Sequence, residues 1–353
     1  MMTNLKLHIR RLQTWYRKER GKGIGLFAIL VYMLPRILAV KAYRQLATVA
    51  NDQIVDRFCN QKRFIEFQTT QQHKLGDHFY TIVMPNILHF LVPSLKLIPR
   101  KVDVFLILNG TANWEENYLR KNFKGYPIFK LNNFPYSSMS HGTVLNLLLR
   151  NNDSNFGIID HDLFLFNPQI FDDLSFKKDE CVIGAFKLKN TKAQLSFPTT
   201  HFMFFNIKRI HRIMTTYEID ARQYKNIPRR LENKLAELKI GHQNYLKEYL
   251  NYFDTFNLIM AMAFYEKLSA RIAEMRPDDL FHVGATSCGT HSIYATYINI
   301  KLLELSTDSS LSSKYSNLFA PFKDSKSVIE HISGDRSGLA YIAQIDQIID
   351  RLT

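Results

Sequence analysis

The sequence predicts a mixed α/β fold: a mainly parallel sheet flanked by helices, with helical extensions at both ends. Three observations point there. Apolar runs of strand length, such as 102–108, carry hydrophobic residues continuously, as strands covered on both faces do. Such runs alternate with segments that are apolar at helical spacing. A hydrophobic content of 46% with 13% aromatic residues supports a sizeable core in a 353-residue chain and excludes wholesale disorder.

The first 22 residues hold Lys6, Arg10, Arg11, Arg17, Lys18, Arg20 and Lys22 against Glu19 alone. An apolar run, 24–34, follows and is broken by Pro35-Arg36. As a helix it would be roughly 16 Å long against about 30 Å of hydrocarbon, too short to span a bilayer. A basic, apolar segment over 1–40 fits either a helix lying on an anionic membrane surface or one packed on the protein's own core. The charge is lopsided throughout, with 46 Lys and Arg against 32 Asp and Glu, net +14, so an acidic partner is expected. Base-stacking motifs are absent outside Trp15-Tyr16-Arg17-Lys18, which argues against nucleic acid. Cys59, Cys181 and Cys288 are far apart and form no CxxC pair, so neither a disulfide framework nor a structural zinc site is expected.

From residue 61 the α/β pattern begins. Segment 79–84 reads as a strand, 86–97 as a helix, and 102–108 as a strand ending in the turn Asn109-Gly110-Thr111. Segment 114–123 reads as a helix, 127–131 as a short strand, and 140–150 as a helix with Ser140 as N-cap. The next apolar run enters Asp160-His161-Asp162. Beyond it, 181–187 and 201–207 read as strands. Leucines 231, 235, 238, 246 and 250 predict a helix over 231–250. A very apolar helix is expected over 255–268, with Asp254 placed to cap it. A loop at 276–279 leads into a Gly/Ser/Thr/His-rich passage at 281–287, and 324–352 reads as two helices parted by Ser333-Gly334.

Open parallel sheets bind ligands at the carboxyl ends of their strands, and Asp160 and Asp162 lie at such an end. If the chain stays extended there, both carboxylates share a face. Two buried carboxylates need a compensating cation, and Mg²⁺ or Mn²⁺ suits carboxylate oxygen. Solvated acids at a strand end are the plainer alternative. His161, on the opposite face, is expected to pack rather than ligate.

The ordering resembles a GT-A type glycosyltransferase, nearest in layout to the family 2 enzymes, from about residue 79 to about 292. The residues that carry the resemblance are LILNG at 106–110, His141-Gly142-Thr143-Val144-Leu145-Asn146 as an xGxxxxN helix, the DxD motif Asp160-His161-Asp162, and Asp254 at a later helix start. Asn109 stands where the family has Asp, Phe253-Asp254 replaces a Glu-Asp pair, and no QxxRW element is present, so a processive synthase is not supported.

The resemblance implies a metal-dependent transfer of sugar from a nucleotide-sugar donor (a UDP- or GDP-sugar) to an acceptor hydroxyl of a glycan or lipid-linked molecule. Polysaccharide, glycolipid or other cell-surface glycan synthesis would be the setting. Asn109, Gly110, Gly142, Asn146 and Asp160 are the implied donor contacts. Asp162 is the main implied ligand of Mn²⁺ or Mg²⁺, with Asp160 auxiliary and His282 a second metal candidate. Asp254 is the implied general base of an inverting reaction; were it only a cap, retention would stay open. The organisation expected is a basic helical segment 1–60, a catalytic domain 61–300 and a helical extension 301–353, in a cytoplasmic protein peripheral to a membrane. Two rival readings compete. A phosphohydrolase built on His161-Asp162 needs a helical scaffold, which the strand-like flanks oppose; a non-catalytic membrane-associated binding protein on a degenerate transferase fold remains the alternative.

Overall fold

The computed structural model describes residues 34–71, 77–190, 195–224, 226–240, 253–283, 293–306, 309–319, 322–332 and 336–352. Most of the basic, apolar N-terminal stretch, Leu246 and Leu250, and 284–287 lie outside these residues.

The chain enters through α1 (Leu34–Ala50), a π-helical segment (Asn51–Asn60) and α2 (Gln61–Thr70). Strand β1 (His78–Val83), helix α3 (Leu88–Leu97), β2 (Asp103–Leu108), α4 (Asn113–Asn122), β3 (Ile128–Lys130), α5 (His141–Asn151) and β4 (Phe156–Ile159) then follow in strict alternation. Later strands are β5 (Leu163–Leu165), β6 (Glu180–Gly184), the antiparallel pair β7 (Lys187–Asn190) and β8 (Leu195–Pro198), β9 (Phe202–Phe205), β10 (Ser269–Ile272) and β11 (Leu280–His282). The seven-stranded sheet has the order β10-β6-β9-β4-β1-β2-β3. Strands β1 to β4 pair in parallel, while β9 runs antiparallel between β4 and β6.

Continuous hydrophobicity in the strands follows from cover on both faces. In β1, Tyr80 and Ile82 join a core with Val144, Leu145 and Leu148 of α5. Phe79 and Val83 join the opposite core with Phe90 and Leu91 of α3 and Ile298 and Ile345 of the C-terminal helices. Those helices are α9 (Ile293–Leu305), α10 (Ser309–Tyr315), α11 (Ser325–Ile332) and α12 (Arg336–Asp350). Their attachment is partly polar. Glu115, wholly buried, accepts from the backbone N–H groups of Ala112 and Asn86 and from the Tyr315 hydroxyl at 2.6 Å. Gly157 is required in β4, because a Cβ there would lie 2.1 Å from the Phe79 ring.

Two helix expectations change. Residues 241–250 lie outside the described residues, and among those described the helix predicted over 231–250 is present as α7 (Glu232–Glu237), preceded by a 3₁₀ turn. It stops because Lys239 takes φ 59°, with the Lys239 N–H bonded to Ala236 O and the Ile240 N–H to Leu235 O. That pattern closes a helix end and satisfies its last carbonyls. The helix predicted from 255 starts at Asn257 (α8, Asn257–Tyr265), and its cap position is Phe256 at φ 69°, not Asp254. The Phe256 N–H is drawn away to Ala221 O at 2.9 Å. The sequence reading also missed α6 (Ile207–Tyr217), α9 and α10. None of the described helices is long and apolar enough to cross a membrane.

The N-terminal helices are fixed to the loop before α5 by two buried amides. Asn51 Nδ2 donates to Ser137 Oγ and its Oδ1 accepts from the Phe134 N–H; Asn60 makes the same kind of pair with the backbone of Asn132. Asp52 accepts the Ser140 N–H. Asp56 is less well served: its Oδ1 is buried without a hydrogen-bond partner, and burial pushes the carboxyl up from 3.8 to about 6. An acid whose folded value is raised binds more protons in the folded state, so stability falls as pH rises from about 4 to about 6 and stays lower above that. Asp56→Asn is therefore expected to stabilise the fold at pH 7 by about 1 kcal/mol, discounted for partial exposure, and to give no gain near pH 4. Thermal melts of both proteins at the two pH values check this; an equal gain at both would refute the buried-charge explanation.

Candidate active site

The carboxyl ends of β1, β2 and β4 open on one edge of the sheet, and chemistry-bearing side chains gather after β4. The chain does not remain extended through Asp160-His161-Asp162. It turns, with the Leu163 N–H bonded to Asp160 O, before β5 begins. Asp160 and Asp162 therefore converge through a turn rather than by strand alternation.

Two long-range strand pairings supply the remaining groups. Strand β9 lies antiparallel to β4 with Phe202 opposite Ile159, so His201 falls beside Asp160, and the Asp160 N–H bonds His201 O at 2.9 Å. Strand β11 lies antiparallel to β5 with His282 opposite Leu163, which sets His282 beside Asp162. In the result, His201 Nδ1 is 3.0 Å from Asp160 Oδ2, and His282 Nε2 is 3.5 Å from Asp160 Oδ2 and 3.2 Å from Asp162 Oδ1. The two imidazoles stack with centroids 3.6 Å apart. His141, the first residue of α5, brings Nε2 to 3.9 Å from Asp160 Oδ1. His161 is buried, its Nδ1 donating to Ile82 O at 3.0 Å.

The charges are mutually dependent. Burial works to raise the Asp160 carboxyl, but the hydrogen bonds from His201 and His282 outweigh it and hold it well below the usual carboxylate range. Asp162 is likewise held low against burial by His161 and His282. His282 moves the other way: burial disfavours its charge, yet the two carboxylates push it up to about 9. Burial lowers His141, which feels both Asp160 and Asp254. Ligand atoms of Asp160, His201 and His282 all lie within 4.8 Å of one another. Carboxylate oxygen with neutral imidazole is a donor set that fits Mn²⁺, and the cluster's carboxylates now draw a cation in the form of the His282 proton.

The other sequence-predicted residues lie around this cluster in different ways. Asp254 sits at the start of the turn before α8, where its Oδ1 accepts from the Thr255 N–H at 2.9 Å and Gln223 Nε2 at 3.0 Å. Asn109 is wholly buried and its amide is bonded to both the N–H and C=O of Met139. Gly110 adopts φ 79°, and a Cβ there would meet Ser137 O at 2.6 Å. Gly142 lets the 221–222 backbone pack on α5, since a Cβ would lie 2.8 Å from Arg222 Cα. Asn146 is turned to a separate polar cavity of about 470 Å³ with Asp52, Asp56, Arg150 and Arg222. The sequence reading missed His201 and His141. His141 opens a helix that the sequence marked, but the antiparallel pairing that brings His201 to Asp160 had no signal in the sequence.

Residues 56–210, fewer than half of the chain, match the family model described as the StrH glycosyltransferase N-terminal domain. The matched segment contains Asp160, Asp162 and His201 and ends before Asp254 and His282. Among solved structures, the chain is similar to the mannosyltransferase PcManGT from Pyrobaculum calidifontis in complex with GDP-Man and Mn²⁺, at 10% identity and TM-score 0.36, covering 85% of this chain and 89% of that one. It is also similar to S. aureus TarS 1-349 in complex with UDP-GlcNAc, at 10% identity and TM-score 0.30, covering 78% and 82%. A third likeness is to an active-site mutant of LgtC, at 10% identity and TM-score 0.29, covering 40% of this chain and 64% of that one. No curated protein matches the sequence.

Proposed function

We propose that this chain, whose residues 56–210 match a glycosyltransferase-domain model, transfers a sugar from a UDP- or GDP-sugar to an acceptor hydroxyl with inversion, using Mn²⁺ or Mg²⁺. The observation that carries the proposal is the meeting of Asp160, His201 and His282 within 4.8 Å at the carboxyl end of the sheet, with Asp162 beside His282. Asp160, Asp162, His201 and His282 would hold the cation, which when bound supplies Lewis-acid stabilisation of the departing nucleoside diphosphate. His282 must be neutral to ligate, so its proton leaves as the cation enters.

The chain's own residues do the rest. Asp254 takes the acceptor hydroxyl's proton as that oxygen attacks the anomeric carbon. Its Oδ1 is fixed by Thr255 and Gln223, which sets the carboxylate's orientation. Asn109 and Gly110 shape the loop that leads to α5, and Gly142 admits the 221–223 segment that holds Asp254. The catalytic part would span 61–300, between a basic N-terminal segment (1–60) and a C-terminal helical extension (301–353). A glycan or lipid-linked acceptor, cell-surface glycan synthesis and a place on the cytoplasmic face of a membrane complete the reading.

Nucleoside diphosphates should bind more tightly with Mn²⁺ than with chelator, by about tenfold or more. Calorimetry with UDP and GDP reads this directly, and equal affinity in both conditions would remove the metal from the mechanism. A screen of nucleotide sugars for Mn²⁺-dependent hydrolysis or transfer then identifies the donor.

A further inference from the structure

One long side of the N-terminal helices is apolar and open. Ala47, Asn51, Asn60 and Phe64 anchor the inner side. On the outer side Leu46, Val49, Ile54, Phe58 and Ile65 stand exposed, Leu46 and Phe58 to 71% and 72%. A helix that rests on a globular core normally turns polar residues to water. Single exposed apolar residues are ordinary, but a row from 46 to 65, running from α1 through the π-helical segment into α2, marks an interaction surface. The adjoining turn adds Tyr136, 91% exposed, in a loop tied to α1 by the Tyr43 hydroxyl donating to Pro135 O.

Charge selects the partner. Between residues 34 and 70 the sequence carries Arg36, Lys41, Arg44, Arg57, Lys62 and Arg63, of which Arg57 lies beside the exposed Phe58, Lys62 reaches Glu66 at 4.0 Å and Arg63 packs inward over the Phe129 ring. The acids are Asp52, Asp56 and Glu66, of which Asp52 is engaged by Ser140 and Asp56 is partly buried. A second copy of this chain would bring the same basic helices and a net charge of +14 against +14. An anionic bilayer instead accepts apolar side chains at the headgroup boundary and basic ones at its phosphates. We infer that the outer face of the helical segment 46–65 docks on an anionic lipid bilayer. This face overlaps the basic helical segment 1–60 expected from the sequence, extends past it to Ile65, and does not depend on the glycosyl-transfer reading. It backs onto the 132–137 loop through Asn51 and Asn60, so docking would hold the loop leading to α5 near the lipid surface.

Flotation of the full chain with phosphatidylglycerol and with phosphatidylcholine vesicles tests the inference. Binding to the anionic vesicles is expected, and about tenfold weaker binding to neutral ones or at high salt. The doubly substituted Leu46→Glu, Phe58→Glu protein should bind anionic vesicles about tenfold less, with unchanged circular dichroism because both side chains are exposed. A Leu46→Ser, Phe58→Ser pair serves in its place if the charged pair fails to fold. Wild-type protein left unbound, or substituted protein bound as tightly as wild type, would overturn the inference. So would a wild-type dimer in light scattering that the substitutions split and that ignores vesicles, since a second copy would then own the face.

Discussion

Asp160→Asn is expected to abolish the Mn²⁺-dependent gain in nucleoside diphosphate binding and to lower transfer about a thousandfold. Asp160 is the one carboxylate among the described residues that reaches both His201, at 3.0 Å, and His282, at 3.5 Å. The amide keeps the shape and an oxygen but removes the negative charge that a divalent cation requires. The turn itself should persist, because Asp160 enters it through backbone bonds to His201 O and from the Leu163 N–H. A folded protein that has lost metal response is thus the expected result, read by calorimetry with and without chelator beside a circular dichroism spectrum. Asp162→Asn is the informative partner. Asp162 is buried and reaches His282 at 3.2 Å, so its loss should weaken the site while leaving the Asp160–His201 pair. Full metal response in Asp160→Asn together with none in Asp162→Asn would move the centre of the site to Asp162, the residue the DxD resemblance singled out.

The comparison between these two aspartates shows how far the sequence could be read. Strands β1, β2 and β4 were legible because cover on both faces leaves continuous apolar runs, and α5 because Ser140 caps it and accepts the Thr143 N–H. His282 was singled out through the resemblance as a late-loop histidine, and it instead ends strand β11. His201 was not, although the strand it precedes was. Its role depends on β9 inserting antiparallel between β4 and β6, and register between strands so distant in sequence is set by the assembled core, not by local pattern. The same limit explains Asp254. Its position before an apolar run reads as a helix cap, but Phe256 takes a left-handed conformation to bond Ala221, and the helix starts later. The 231–250 reading holds over α7 and is interrupted for a local reason: leucine spacing continues past residue 238 while the backbone closes the helix at Lys239.

Removal of the Asp254 charge should stop chemistry without disturbing donor binding. Asp254→Asn is expected to lower kcat by about 10²–10⁴-fold at nearly unchanged donor KM. The carboxylate does not cap α8, whose cap position is Phe256. The Thr255 N–H and Gln223 Nε2 both donate to Oδ1, and both bonds survive in the asparagine variant. The substitution therefore isolates basicity from position. His141 feels the charges of both Asp160 and Asp254. Inversion requires the base on the side of the donor away from the diphosphate. Two measurements decide. Wild-type turnover in Asp254→Asn would retire the residue as base, and a product that keeps the donor's anomeric configuration would exclude single displacement whatever the rate. Loss of turnover with intact Mn²⁺-dependent donor binding, and an inverted product from the wild type, would assign proton removal to Asp254 and leave the cluster at Asp160 responsible for the leaving group alone.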